Sequence, residues 1–384
     1  MQHHHSVFHQ IQRHIPWAIF DRLVDDYKAD HRVRRLSSKS QFLALLFGQL
    51  AGAVSLREIE AAMSSHQSCL YHVGAKLPAR STLADANAKR PWPLFAGLFA
   101  NMAQTASRRT RRQMSDAVRI IDATHIRLSS LSAAWLSERK GLWAAKMHLV
   151  YDPNADAPMQ IALTDQTVGD VTPAKAFEPI PGMTYVFDLA YYDFAWWARL
   201  HAEGCRIVTR FKSHTPLRVS RINPVPETGS VLTDRIGMLP ERLAWSRQNP
   251  MNDPVREVTV RISTGKILRI LTNDLDAPAQ EIADLYKQRW QIELFFKWAK
   301  QNLRIKHFLG TSENAIRIQI FVALIAYILI RMAQATQTEV QRLLTFTRLV
   351  RVNIMHRRSI CHLKTPPKPP VSDPRQMLLP GLAI

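Results

Sequence analysis

The chain has 384 residues, a net charge of +20 and a pI near 10.3. With 46% hydrophobic residues, it is long enough and apolar enough for two or three domains around buried cores. Its three cysteines, Cys69, Cys205 and Cys361, form no CxxC pair, which argues against a zinc knuckle or disulfide framework. The start, MQHHHSVFHQIQRHI, has no apolar stretch of the kind a secretory signal needs.

Charge is unevenly spread. Residues 1–115 carry 16 Lys and Arg against 7 Asp and Glu, and residues 286–384 carry 16 against 4. The centre, 116–285, is balanced at 19 against 20. Two basic flanks around a neutral centre predict a polyanion held at both ends and chemistry in the middle. The expected setting is the reducing cytoplasm of a bacterium, in association with the nucleoid.

Residues 8–106 read as helices throughout. Ser40 is expected to cap QFLALLFGQLAG, which ends near Gly52. Ser55 opens SLREIEAAMSS, with Glu58 at the capping-box position. Ser81 or Thr82 opens RSTLADANAKR, with Asp85 near a second box. Arg34, Arg35, Arg57, Arg80, Lys89 and Arg90 suit a DNA-binding helical domain over 1–106; an ordinary solvated basic face is the bland alternative. SRRTRRQM marks a basic linker, 107–115.

Strands follow. VRIID runs to Asp122, AAKMHLVYD and PMQIALTDQ form a hairpin, and TYVFD runs to Asp188. The helix FAWWARLHAEG closes at Gly204, and CRIVTRFK is a further strand. Residues 214–278 hold seven prolines and short alternating pieces, among them REVTVRIST and KILRILTN about a turn at Thr264–Gly265. They predict a β-strand insertion. A helix over 279–303 comes next, then an apolar helix over 310–333. Its longest apolar run, Ile318–Ile330, falls short of the roughly 18 residues a membrane span needs and predicts a buried helix. A basic helix over 338–357 and the Pro-rich tail KTPPKPPVSDP complete the chain. The fold class is α/β: a core in two pieces, 116–213 and 279–335, with the insertion between them and basic segments over 336–384.

Asp122 and Asp188 each end an apolar strand. A carboxylate there points into the cleft beyond the sheet edge, although an Asp in that place is also a common turn former. Asp116, Asp170 and Asp193 compete but end no apolar strand. The third candidate is Glu293 in YKQRWQIELFFKWAK. On one helix Tyr286, Arg289, Glu293 and Lys300 fall within about 60° of each other. They border an apolar face of Leu285, Ile292, Phe296, Ala299 and Leu303. An Arg289–Glu293 pair is worth only ~0.3 kcal/mol and leaves Lys297 and Lys300 unbalanced.

Three converging carboxylates repel one another. Two Mg²⁺ ions, for which Mn²⁺ can substitute, would remove that cost and serve phosphodiester chemistry, with Arg289 and Lys300 holding phosphates. Lys146 and His148 alternate on a neighbouring strand, as phosphate aids or as structural residues. His3–His5 read as an inert terminal tract.

Tyr286-x₂-Arg289-x₃-Glu293-x₆-Lys300 resembles the Y-(2)-R-(3)-E-(6)-K signature of IS4-family DDE transposases. IIDATHI and FDLAYYDF look like that family's two Asp motifs, and SLREIEAAM, LYHVGAK, RSTLADANAKR and GTSENAIRIQI extend the likeness over most of residues 8–335. Two positions depart from it: Ala190 stands where Gly is common and Ala123 where Ser often follows the Asp.

The resemblance implies an RNase H-like core interrupted before the Glu, with separations of 66 and 105 residues between the acids leaving room for the insertion. It implies cut-and-paste transposition of an insertion sequence: metal-dependent cleavage, hairpin formation and strand transfer at terminal inverted repeats of double-stranded DNA, by a homodimer in a synaptic complex. It further implies that Asp122, Asp188 and Glu293 hold the metal, that Tyr286, Arg289 and Lys300 contact the cut strand, and that an aromatic of the insertion, Trp245, stacks an extruded base. A non-catalytic DNA-binding descendant is the alternative, against which the intact acids count. A general nuclease is the other, against which the Tyr-Arg-Glu-Lys stripe counts.

Overall fold

The computed structural model describes residues 5–111, 117–244, 247–303 and 308–364. The N-terminal helices are α1 (Val7–Gln12), α2 (Trp17–Asp26), α3 (Ser38–Ala51), α4 (Leu56–Ser65), α5 (Gln67–Leu70), α6 (Arg80–Lys89) and α7 (Trp92–Arg111). The cap of α3 is Ser37 and not Ser40: the Ser37 hydroxyl accepts from the Ser40 N–H at 3.2 Å, while Asp30 takes the Ser38 N–H at 2.8 Å. The helix ends at Gly52, whose φ of 80° suits a residue without Cβ. On α4 the capping box forms in both directions, Ser55 to the Glu58 N–H at 3.1 Å and Glu58 to the Val54 N–H at 2.8 Å. No hydroxyl caps α6. It starts at Arg80, whose N–H is taken instead by the distant Glu60 carboxylate at 3.0 Å. Helix α7 continues through the first part of the stretch expected to be linker, as far as Arg111.

The sheet is built from β1 (Val118–Leu128), β2 (Glu138–Arg139), β3 (Leu142–Asp152), β4 (Ala157–Asp165), β5 (Thr184–Phe187), β6 (Arg206–Arg210), β7 (Arg218–Asn223), β8 (Val231–Met238), β11 (Val255–Arg261) and β12 (Ile267–Thr272), with β9 (Arg242–Ala244) and β10 (Arg247–Gln248) apart as a small ribbon. Its order is β2-β3-β1-β5-β6-β12-β11-β8-β7, and β4 pairs with β3. Strands β4, β3 and β1 are antiparallel neighbours, while β1, β5 and β6 run parallel. This is the RNase H-like pattern. The insertion extends that same sheet: β12 docks antiparallel on β6, with Ile270 opposite Arg210. The expected β11–β12 hairpin turns through Gly265 at a φ of 80°.

One face of the sheet carries α8 (Val171–Ala176) and α9 (Phe194–Ala202). There Tyr185, Phe187, Tyr191, Phe194, Trp196 and Trp197 form an aromatic core. The helix expected over 279–303 is two helices, α10 (Ala279–Gln288) and α11 (Trp290–Asn302), joined at Arg289. At the joint the hydrogen bonds are three residues apart, Arg289 N–H to Tyr286 O at 3.1 Å and Ile292 N–H to Arg289 O at 3.3 Å, so the coil tightens there. The residues of the expected apolar face, Leu285, Ile292, Phe296, Ala299 and Leu303, are all buried. Helix α12 (Glu313–Gln334) has 22 residues, and 83% of its most apolar window is buried. By length and composition alone it could cross a membrane; its burial makes it a core helix.

The chain divides into two compact units, Pro16–Ile328 and the pairing of Met1–Ile15 with Leu329–Ile384. In the second unit α1 lies against the turn after α13 (Leu343–Asn353), with Val7 N–H to His356 O at 3.1 Å and Phe8 N–H to Ile354 O at 2.8 Å. Helix α13 is shorter than the expected 338–357, and the Pro-rich tail lies outside the described residues.

Candidate active site

Asp122 lies inside β1 and does not end it. The following residues THIRL keep alternating and stay paired with β3, Asp122 itself opposite Leu149. What ends is the neighbour on the other side. The parallel ladder with β5 stops at Ile120–Val186, and β5 closes at Phe187. Asp122 therefore flanks a notch where its strand outlasts β5. Asp188 is two residues past Val186, as Asp122 is two past Ile120, so the two acids stand at one level on adjacent parallel strands. Neighbouring strands lie about 5 Å apart. Alternation places both on the face that α11 covers, where Lys300 Nζ meets Thr124 Oγ1 at 2.5 Å.

Asp188 caps the turn after β5, its carboxylate accepting the Ala190 N–H at 2.8 Å. Asp122 accepts the Ala123 N–H at 2.8 Å and stands 3.6 Å from Arg289 Nη1. The same Arg289 nitrogen holds Glu293 at 2.6 Å. Burial pushes the Asp122 carboxyl up to about 7; Asp188 and Glu293 add to this, while the Ala123 N–H and Arg289 oppose it. Tyr286 is buried, and burial pushes its phenol up to about 12, against a hydrogen bond and the charge of Arg289. Burial works against the Arg289 charge, yet Tyr286, Glu293 and Asp122 together hold its pKa above the ordinary value. Its guanidinium is stacked over Tyr286 and Trp290, at 5.9 and 5.5 Å from the ring centres.

The donors Asp122, Asp188 and Glu293 are all hard carboxylate oxygens, and the latter two lie close enough to Asp122 to raise its pKa, which fits a divalent ion in kind. Among the described residues no three such groups are drawn tightly enough to hold an ion as they stand.

Two residues at this edge escaped the sequence reading. Arg210 is two past Val208, which pairs with Val186, so it continues the row Asp122–Asp188 onto β6. Its buried Nε has no hydrogen-bond partner. The available signal was a cation ending the apolar strand CRIVTR. Trp290 is 59% exposed beside Arg289, an aromatic surface next to the acids.

Other candidates are placed elsewhere. Lys146 and His148 pair with His125 and Ala123, so they point to the opposite face from Asp122. There Lys146 pairs with Asp170 at 3.0 Å and His148 Nε2 meets Thr164 Oγ1 at 2.8 Å, which is a structural cluster. Asp193 caps α9, its carboxylate accepting the Trp196 N–H at 2.8 Å. Arg80 and Lys89 are exposed, but Arg90 is buried and paired with Asp30 at 2.5 Å, and is not a surface ligand for DNA. Trp245, Asp116 and His3 lie outside the described residues.

A family profile described as "Transposase DDE domain" matches residues 113–329, and one described as "Domain of unknown function (DUF4372)" matches residues 3–76. A Sinorhizobium fredii protein that carries the name transposase y4zB is 38% identical over 309 residues, covering 78% of this chain and 86% of that one. The Geobacillus stearothermophilus "Probable transposase for insertion sequence element IS5377" is 30% identical over 285 residues, 71% of this chain and 72% of its own. A shorter match, 43% identical over 53 residues and 14% of this chain, is to a Synechocystis protein named for insertion sequence element IS4SA. With acids at one level on the parallel strands, and a transposase domain spanning both pieces of the core, the chain belongs to the DDE transposases of insertion sequences.

Proposed function

We propose that the chain performs cut-and-paste transposition, with Asp122, Asp188 and Glu293 holding two Mg²⁺ ions. The observation that carries this is the shared level of Asp122 and Asp188, with Glu293 tied to Asp122 through one arginine. DDE transposases act on DNA and use divalent metal ions. Such ions supply Lewis acidity to the attacking and leaving oxygens of a phosphodiester.

The chain's own residues supply the rest. Arg289 is the cation nearest the acids and can exchange Glu293 for a phosphate. Arg210, already desolvated at Nε, takes a second phosphate at the same level. Lys300, fixed on Thr124, carries the stripe further along β1. Tyr286, buried with its proton firmly held, donates a hydrogen bond and takes no part in proton transfer. Trp290 offers a stacking face for a base displaced at the cut, the role expected of Trp245. Two element ends must meet in one event, so the working form is a homodimer on paired inverted repeats. The N-terminal helices hold those ends.

The test is cleavage and joining of a DNA that carries the element's inverted repeats, in Mg²⁺, by wild type and Glu293→Gln. Wild type is expected to cut and join, and Glu293→Gln to bind without cutting. Binding without cleavage by wild type would overturn the catalytic reading, and undiminished cleavage by Glu293→Gln would remove that residue from the site.

A further inference from the structure

The loop between α2 and α3, residues 27–36, sorts its charges by direction. Its one acid, Asp30, turns inward: the carboxylate accepts the Ser38 N–H and hydroxyl, each at 2.8 Å, and pairs with Arg90 at 2.5 Å. Buried Arg90 also donates to the Ser38 hydroxyl and the Leu36 carbonyl, so it serves as a post under the loop. Lys28, His31, Arg32, Arg34 and Arg35 are all exposed. Lys28 and Arg32 have φ values of 48° and 57°, a backbone conformation that this anchoring has to hold. Lys28, Arg32, Arg34 and Arg35 make no ion pair among the described residues. The inward acid is neutralised from within, and the outward charge is not.

This loop lines a cleft of about 760 Å³ together with Thr82, Asp85 and Lys89 of α6. On the other side of α6 is a second cleft, about 620 Å³, lined by Arg57, Arg80, Ser55 and Leu309. Asp85 borders both, so the exposed face of α6 runs between two cationic clefts. That face is Ser81, Ala84, Asp85 and Ala88. A helix with its side chains is about 10–12 Å across. The major groove of B-form DNA is about 12 Å wide, with a phosphate backbone along each rim.

We propose that α6 lies in the major groove of duplex DNA, with Lys28, Arg32, Arg34 and Arg35 on one phosphate backbone and Arg57 and Arg80 on the other. The proposal rests on reading the chain as a DNA transposase and names the surface that grips the duplex away from the acids. Asp85, the lone acid on the face, meets the base edges, where a carboxylate accepts from a cytosine amino group.

The experiment measures binding of the full chain to a fluorescein-labelled, mixed-sequence duplex about three helical turns long, in EDTA, across a salt series. The variant Lys28→Ala/Arg32→Ala/Arg34→Ala/Arg35→Ala is expected to lose more than about tenfold in affinity. Its plot of log K against log salt should be shallower by roughly 0.9 for each phosphate lost. Arg57→Ala/Arg80→Ala should flatten the slope by up to roughly 2. Changing the three loop arginines to lysine should keep the wild-type slope. All these side chains are exposed, so circular dichroism should match wild type. An RNA duplex, whose major groove is too narrow for a helix, should compete poorly. Wild-type slopes in both alanine variants would overturn the proposal, as would equal competition by RNA. Wild type that cleaves and joins while the loop variant keeps its slope rejects the groove alone. Wild type that binds with the expected slopes but never cleaves rejects the enzyme and supports the groove.

Discussion

In the insertion, Asp234 receives both of its hydrogen bonds from Arg256, at 2.8 and 2.7 Å, and Glu257 is matched to Arg269 at 2.8 and 2.9 Å. At the notch between β1 and β5, Asp122 and Glu293 share Arg289, at 3.6 and 2.6 Å, and Asp188 stands level with Asp122 with no ion pair among the described residues. The paired arginines have their pKa raised, with the hydrogen bonds they donate to Asp234 and Glu257 as first cause. Asp122, in contrast, is pushed up to about 7, with burial as first cause and its acidic neighbours adding to it. Both regions bury charge in the same sheet. One satisfies it internally and is architecture; the other leaves anions crowded and is ready for a cationic ligand.

The largest expected effect sharpens this contrast. Asp188→Asn or Glu293→Gln should lower strand cleavage by about three orders of magnitude or more without lowering the thermal midpoint. Asp122→Asn should do the same to cleavage and should gain stability over wild type in EDTA as pH rises. The sign follows from a folded-state pKa raised from the ordinary carboxylate value of 3.8 to about 7: the folded chain holds this proton more tightly, so ionising Asp122 costs stability across that window. A midpoint that falls in all three variants would erase the distinction between the two regions.

Asp234→Asn is the mirror experiment. It leaves Arg256, with a side chain 5% exposed, without its anion. The cost should be about 3–5 kcal/mol, read as a lower denaturation midpoint, while cleavage per folded molecule stays unchanged.

His148 provides a third, smaller effect on the face away from the acids. Burial first, with Lys146 and His125 adding and Asp170 opposing, lowers its pKa from 6.5 to about 4. The unfolded chain therefore binds this proton first, and stability should fall as pH drops from 6.5 towards 4. The full loss is on the order of 3 kcal/mol, and His148→Gln should flatten the acid limb of a thermal-midpoint profile.

These contrasts were only partly legible in the sequence. The acids announced themselves by composition, because VRIID and TYVFD put carboxylates after apolar strands. That Asp122 and Asp188 share a level depends on the β1–β5 register, which happens to equal their spacing of 66 residues; composition does not fix a register. Periodicity found the apolar face of the 279–303 segment but not its break at Arg289, since nothing in QRWQ is a helix breaker. Arg90 looked like a surface cation because its partner Asp30 lies 60 residues away. The N-cap of α3 went wrong for the same reason: Asp30 draws the Ser38 N–H into the helix start, and Ser37 takes over the cap from Ser40.

The smallest expected effect tests the boundary between the two regions. Arg210 is at the level of the acids on β6 and opposite Ile270 of the insertion. Its neighbours in the insertion, Arg256 and Arg269, are fixed by carboxylates; Arg210 has a buried Nε with no hydrogen-bond partner. If it belongs to the architecture, losing it should cost stability as losing Arg256 would. If it belongs to the acid edge, Arg210→Ala should leave the midpoint within about 0.5 kcal/mol of wild type. The salt dependence of DNA binding should then flatten by roughly 0.9, the signature of one phosphate released. Arg256→Ala should do the reverse, lowering the midpoint and keeping the salt slope. The pair of variants would separate a residue that holds the sheet from one that holds the substrate, although the two lie on strands of one continuous sheet.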